Sequence, residues 1–484
     1  MDSFLNSSGF RSLIKQGSLV INTVFGGGAY TYLLNQSFKE PLLIVDARER
    51  FEGFIATKCL FVTDQQVKEY YSIDLLEVIS KMSNKYISIN HLIESSDMYG
   101  WIKLIYDLKV TTNCDIHVNV HDYYFVCPTV NLLNYEMKFC DLPDEATCND
   151  CLDKYKNFGN EIDTSTFEVR SAYKRGIKGI NEWREIWKKL FSRASKITFP
   201  SFDTKCRYLS VYDIEKDKVR VLSHDLSYLS KVKKHSQVDM GFRVSFNVFI
   251  IGHIGVSKGS KIIYEVLKMI QSHRVPIYIN VIGTCVDSKL EESPFLVKHG
   301  EFNHDNIHDV LNNMSIDCFI MPSICPETFS YATQEMVATG LPVISFNIGA
   351  QSDFVSKYEN GIVLDDISPE QMFNTIYIQY KEKLLKQNNS LGSNDHTLSE
   401  LLELCNKQMV DNSILAFDNN KLLEKSKIHD STNKTLNFEI VELKTELACL
   451  EEEFNGVKNS VSWRVTRPFR VVFRFVTKFF KKRY

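Results

Sequence analysis

Two glutamates eight positions apart, Glu327 and Glu335, carry the clearest chemical signal in this chain. They lie in PSICPETFSYATQEMVATG (Pro322 to Gly340), between the strand-like runs IDCFIM and LPVISF. Glu327 falls in the loop after the first run, Glu335 about two turns into the helix that follows, and Gly340 supplies the helix stop. A loop carboxylate can accept hydrogen bonds from sugar hydroxyls, and one further along the helix can bind a ribose diol. A helix beginning near Phe329 and Ser330 presents free backbone N–H groups and a positive dipole end, which suit a diphosphate. The spacing alone describes nothing more than a solvated helix face. The strand–loop–helix–strand setting gives it meaning.

Other candidates sit at similar junctions. Gly26, Gly27 and Gly28 follow a β-branched run (Leu19 to Val24) and open a helix-like segment. They permit either a close ligand approach or simply a tight turn. They do not match the G-x-G-x-x-G spacing, which weakens a dehydrogenase reading. His121 closes a strand in VNVHDYYFVCP, where a lone histidine is by itself as readily structural as functional. Cys127, Cys140, Cys148 and Cys151 lie within 25 residues and end in Cys-Asn-Asp-Cys, a set that could hold a structural zinc. Buried free thiols are the competing reading.

These residues need a frame, and the hydrophobic pattern supplies one. SLVIN, PLLIVDA, IHVNVH and KITFPS alternate with helix-like stretches, which predicts a parallel, doubly wound sheet. A second alternation starts near Phe242: VSFNVFIIGHIG, the amphipathic KGSKIIYEVLKMIQSH, VPIYINVIGT, IHDVLNNM, IDCFIMPS, SYATQEMVATG and LPVISFN. Two such α/β domains predict a ligand cleft at the carboxyl ends of the strands. The expected organisation is residues 1–240, residues 241–386 and a C-terminal extension over 387–484, the last set off by the polar KQNNSLGSNDHT (Lys386 to Thr397). In that extension Leu436, Ile440, Leu443, Leu447, Leu450, Phe454 and Val457 alternate by four and three, as in a coiled coil or a docked helix. A coiled coil there would make the chain a homo-oligomer.

At 484 residues, 44% hydrophobic and 24% charged, the composition is that of a soluble globular enzyme. No run is apolar enough for a membrane-spanning helix. The start, MDSFLNSSGF, does not read as a secretory signal, so the twelve cysteines are expected to be reduced, in a cytosol. The net charge of −3 hides an asymmetry. Residues 463–484 hold eight basic residues and no acid, leaving 49 basic against 60 acidic elsewhere, a balance of −11. Arg467, Arg470, Arg474, Lys478 and Lys481 form one helical stripe, with Phe469, Val472, Phe473, Val476 and Phe480 opposite. That pattern fits a helix lying on an anionic membrane surface. A basic helix packed on its own acidic domain is the plainer reading. No base-reading module accompanies it, so nucleic acid is not an expected partner.

PETFSYATQEMVATGLPVISF resembles the Glu-x7-Glu region of glycosyltransferase family four, a group of retaining enzymes with the two-domain GT-B fold. The resemblance takes in FIIGHIGVSKGSKII, VIGT, HGEF and NGIVL, so it spans roughly residues 240 to 385. It implies that Glu327 contacts the donor sugar and Glu335 the ribose, with Lys258 on the diphosphate and Phe329, Ser330 and Tyr331 lining the phosphate end of the helix. It also implies a donor-sugar contact for His121 and a donor-side loop at Gly27 and Gly28. No cofactor is expected for catalysis. Two positions depart from the family pattern. His253 stands where an arginine is usual, and IGAQSD keeps Gly349 but places Asp353 where a glutamate is usual. SVSWRVTRPFR resembles a segment of surface-polysaccharide transferases, which adds a glycan or lipid-linked acceptor to the expected nucleoside-diphosphate sugar. The rival functions are a nucleotide-sugar epimerase on the same fold and a degenerate transferase serving as a scaffold.

Overall fold

The computed structural model describes residues 4–23, 27–157, 164–235, 245–302, 306–390, 407–408 and 410–421. Residues 1–408 and 409–484 form separate units. Within the second, residues 410–421 are helical. Gly26, the heptads from Leu436 to Val457 and the basic tail lie outside the described residues.

The first sheet of residues 1–408 is built from β1 (Ser18–Asn22), β2 (Leu42–Asp46), β3 (Phe51–Glu52), β4 (Ile55–Val62), β5 (Val67–Asp74), β6 (Tyr86–Ile89), β7 (Asp115–Asn119), β8 (Lys196–Phe199) and β9 (Val219–Val221). Among the described residues its order is β3-β4-β2-β1-β6-β7-β8-β9, with β5 also pairing β4. From β2 through β9 every pairing is parallel, as the alternating pattern predicts. Residues 51–74 instead form an antiparallel edge on β2, which the sequence pattern did not announce. β4 roughly alternates exposed and buried positions, the mark of a strand with one wet face, and β5 at the edge is exposed along most of its length. By contrast every residue of β1 and β2 is buried, because helices cover both faces.

The helices of this half are α1 (Ser8–Gln16), α2 (Gly27–Ser37), α3 (Leu75–Lys81), α4 (Met98–Thr112), α5 (Glu145–Asn157), α6 (Thr164–Lys174), α7 (Ile180–Arg193) and α8 (Phe202–Leu209). α7 shows why they pack. Ile180, Trp183, Trp187, Leu190 and Phe191 recur at helical spacing and are buried, while the opposite face is charged. Trp183 stands edge-on to Tyr124 at 5.0 Å and donates its indole N–H to the Tyr124 carbonyl at 2.9 Å. That contact holds the segment just beyond His121 against the core.

The second sheet comprises β10 (Phe246–Ile254), β11 (Ile277–Cys285), β12 (Leu296–Gly300), β13 (Cys318–Met321), β14 (Val343–Phe346) and β15 (Gly361–Leu364). All are parallel, in the order β12-β11-β10-β13-β14-β15. It is flanked by α9 (Ser260–His273), α10 (Ile307–Asn313), α11 (Tyr331–Ala338), α12 (Gly349–Val355) and α13 (Pro369–Ser390). The strand order turns back between β10 and β13, the switch point at which open α/β sheets bind ligands. α13 is fixed across this domain by Lys383, which pairs with the nearly buried Asp317 at 2.8 Å. Two Rossmann-like sheets facing a common cleft make the GT-B architecture.

Candidate active site

The carboxyl ends of β10 and β13 open into a cavity of about 480 Å³. Gly28, His121, His253, Lys258, Glu327, Phe329, Ser330, Tyr331 and Glu335 all line it, so residues from both halves of the sequence meet in one space. Gly27 lies one position before Gly28, opening α2 with φ +63°.

Glu327 hangs in the loop between β13 and α11, only 11% exposed at its side chain. Lys258, in the turn between β10 and α9, donates to its Oε1, and Ser323 Oγ donates to the same oxygen at 2.8 Å. Burial pushes the Glu327 carboxyl upward, yet the Lys258 charge and the donated hydrogen bonds outweigh it and hold the pKa below the usual value. For Lys258, burial pushes downward and the Glu327 charge prevails, raising the pKa. The pair is therefore a fixed carboxylate beside a fixed ammonium. The carboxylate can accept from hydroxyls, and the ammonium can meet an anion.

The loop is braced from behind. Gln351 is fully buried: its Oε1 accepts from the Glu327 N–H and its Nε2 donates to the Cys325 carbonyl, both at 2.9 Å. The Ala350 N–H donates to the Glu327 carbonyl at 2.9 Å. Gly349 has φ +64°, and a Cβ there would lie 2.6 Å from both the Glu327 nitrogen and the Pro326 Cα. Gly349 is the residue IGAQSD retains from the family pattern, and its role here is to let α12 start directly against the Glu327 loop. Asp353 lies further along α12.

α11 begins at Tyr331 with Ser330 as N-cap, itself at φ +64°. Ser330 Oγ pairs with Thr333 Oγ1 at 2.8 Å, so the first-turn backbone donors face the cavity without a side-chain cap. Glu335 is fully buried one turn on rather than the expected two, because the helix starts only at Tyr331, and its Oε1 accepts from the Tyr228 hydroxyl at 2.8 Å. Across the cleft, a Cβ on Gly28 would lie 3.2 Å from the Tyr331 ring, tighter than ordinary contact. The glycine thus serves close approach between the halves. Thr328 ties them further. Its hydroxyl donates to the His121 carbonyl at 2.7 Å, and its own carbonyl accepts from Thr204 Oγ1 at 3.1 Å.

His121 lies two residues past β7. Asn90 donates through Nδ2 to Asn22 Oδ1 at 2.9 Å, leaving Asn90 Oδ1 to accept from His121 Nε2 at 2.6 Å. His121 therefore carries its proton on Nε2 and a lone pair on Nδ1. Burial, then His224 and His91, hold its pKa well below the usual value. It is a neutral imidazole. His253, exposed at the end of β10, pairs through Nδ1 with Thr284 Oγ1.

The cysteines occupy a different place. Cys127 Sγ pairs with Thr129 Oγ1 at 3.3 Å, and Cys148 Sγ donates to the Pro143 carbonyl at 3.5 Å. All four are free thiols whose pKa values are raised by burial, Cys127 to about 12 and Cys151 to about 11. Among the described residues no three His, Cys, Asp or Glu side chains are grouped to hold a metal.

The sequence reading missed His224, Gln351, Thr328 and Tyr32. His224 sits in an irregular loop with no periodicity to mark it. Gln351 and Thr328 look like ordinary polar residues until the loop they brace is folded.

Residues 245–395 match the family described as Glycosyl transferases group 1. Residues 245–395 are thus a glycosyltransferase domain, and the two Rossmann-like sheets over a shared cleft have the GT-B arrangement. Among solved structures it is similar to Anabaena Alr3699/HepE in complex with UDP and glucose, at 11% identity over 82% of this chain and 99% of that one, with a TM-score of 0.44. It is likewise similar to sucrose-phosphate synthase of Thermosynechococcus elongatus, at 14% identity over 83% and 99%, TM-score 0.44. No curated protein matches the chain.

Proposed function

We propose that the protein is a family-four enzyme. It moves a sugar from a nucleoside diphosphate to a growing lipid-linked glycan, with retention of configuration, on the cytoplasmic face of a membrane. The observation that carries the donor reading is the convergence of Glu335, the Lys258–Glu327 pair and the uncapped start of α11 on one cavity. In this reading Glu335 binds the ribose, the first turn of α11 and Lys258 meet the diphosphate, and Glu327 accepts from the sugar hydroxyls.

The reaction asks little covalent chemistry of the protein. The bond from the anomeric carbon to the phosphate oxygen breaks, and a bond from that carbon to the acceptor oxygen forms on the same face. The acceptor proton passes to the departing phosphate. His121, neutral and with its proton committed to Asn90, is suited to contact the sugar rather than to act as a general base. Positioning and electrostatic stabilisation supply the rate. The membrane site rests on the amphipathic basic stripe of residues 467–481, and self-association on the heptads of residues 436–457.

The test is a thermal-shift panel of UDP, GDP, ADP, CMP and dTDP sugars on the wild type and on Glu335→Ala. Stabilisation by one nucleotide, lost in the variant, is the expected result. No shift with any of them in folded protein would overturn the donor reading.

A further inference from the structure

His224, in the loop after β9, is 9% exposed and lines the cavity. Its ring is enclosed by four others: Phe329 at 4.3 Å, Tyr32 at 5.0 Å, Tyr331 at 5.2 Å and His121 at 5.6 Å. Those rings come from α2, from the loop beyond β7 and from the start of α11, so the imidazole stands where the two halves of the cleft meet. Its Nδ1 is buried and has no hydrogen-bond partner. A buried polar atom left without a partner is costly, and native proteins keep few of them. None of the surrounding rings is hydrogen-bonded to it. The residue that carries it lines the cavity, between His121 on one side and the loop of Glu327 on the other.

We infer that His224 Nδ1 hydrogen-bonds a hydroxyl of the transferred sugar and so helps to choose which sugar is accepted. The inference rests on the donor-site reading above and extends it to a residue from the segment that leads into the second domain. A neutral imidazole suits the task, since it can donate or accept at one nitrogen according to tautomer. Glu327 only accepts. The two together would read a hydroxyl pattern rather than a single group, and a sugar lacking the matched hydroxyl would leave Nδ1 unpaired in the bound state.

The test compares affinity for a nucleoside diphosphate with affinity for the corresponding nucleotide sugar, using the nucleotide that stabilises the wild type. It is run by calorimetry on the full chain as wild type, His224→Asn and His224→Phe. Asparagine keeps a polar group near the Nδ1 position, and phenylalanine keeps the ring alone. The diphosphate should bind all three alike. The added affinity from the sugar should survive in His224→Asn and fall by about five- to tenfold in His224→Phe, the worth of one hydrogen bond. Unchanged nucleotide-sugar affinity in His224→Phe would overturn the inference. So would an equal loss for diphosphate and nucleotide sugar, which marks a merely structural ring. A wild type that binds the diphosphate but gains nothing from the sugar defeats this inference alone, whereas one that binds no nucleotide defeats the donor reading as well.

Discussion

At the scale of single residues, the site consists of charges held ionised by their pairing and of imidazoles whose pKa values burial lowers. The Lys258–Glu327 pair is the centre of it. Replacing Lys258 by methionine keeps the stem but leaves the Glu327 carboxylate with Ser323 and no countercharge. We expect kcat/KM to fall by about 10²- to 10³-fold, the usual cost of removing one electrostatic contact to developing charge. Steady-state kinetics with the identified donor checks it. The histidines set the acid limit. Burial lowers the pKa of His224 from the ordinary 6.5 to about 4. The unfolded chain therefore binds this proton at a higher pH than the folded one does. The associated stability is fully present above pH 6.5 and is lost as pH falls through the window down to about 4, amounting to about 3 kcal/mol at the bottom. Thermal unfolding followed from pH 7 to pH 4 should show the decline, and His224→Phe should flatten part of it. Glu327 and Glu335 were legible in the sequence because their spacing is local to one strand–loop–helix unit. His224 was not, because nothing nearby in the chain marks the cavity it faces.

At the scale of elements, the Glu327 loop is a two-sided construction. α12 braces it from behind through Gly349, Ala350 and Gln351, and Thr328 fastens it across the cleft. Gly349→Ala places a methyl in a left-handed conformation and within 2.6 Å of the loop backbone. A loss of about 2 kcal/mol or more is expected, read as a lower Tm together with weakened donor binding. Thr328→Val removes the bond to the His121 carbonyl while keeping the shape. Stability should fall by about 1 kcal/mol, with a raised KM if the bond also holds the halves at their working separation. Denaturation and kinetics measured on the same preparation separate the two effects. The sequence showed Gly349 only as a surviving piece of a motif. Its purpose appears once α12 is seen to start against the Glu327 loop. The antiparallel edge at residues 51–74 likewise escaped a reading tuned to βα alternation, since its register depends on which strand it meets.

At the scale of the whole molecule, charge and fold are separated along the chain. Residues 1–408 hold both sheets and the cavity, and the eight basic residues of 463–484 follow beyond them. Deleting everything after Val461 should release the protein from membranes and leave nucleotide binding intact. Sedimentation with anionic and neutral vesicles measures the first, and the thermal-shift panel the second. Unchanged partitioning would count against the surface role.

The sequence by itself determined the two α/β domains, the strand–loop–helix unit bearing Glu327 and Glu335, and the placement of Lys258 in a strand-to-helix turn. Each of these is written in hydrophobic period, turn residues and spacing within a few dozen positions. Only the tertiary structure decided that Gly28 lies against Tyr331, that Gln351 holds the Glu327 loop, and that His224 stands among four rings with its Nδ1 unpaired. The first and last of these contacts join residues far apart in the chain. They depend on where packing brings the two sheets, which no local pattern encodes.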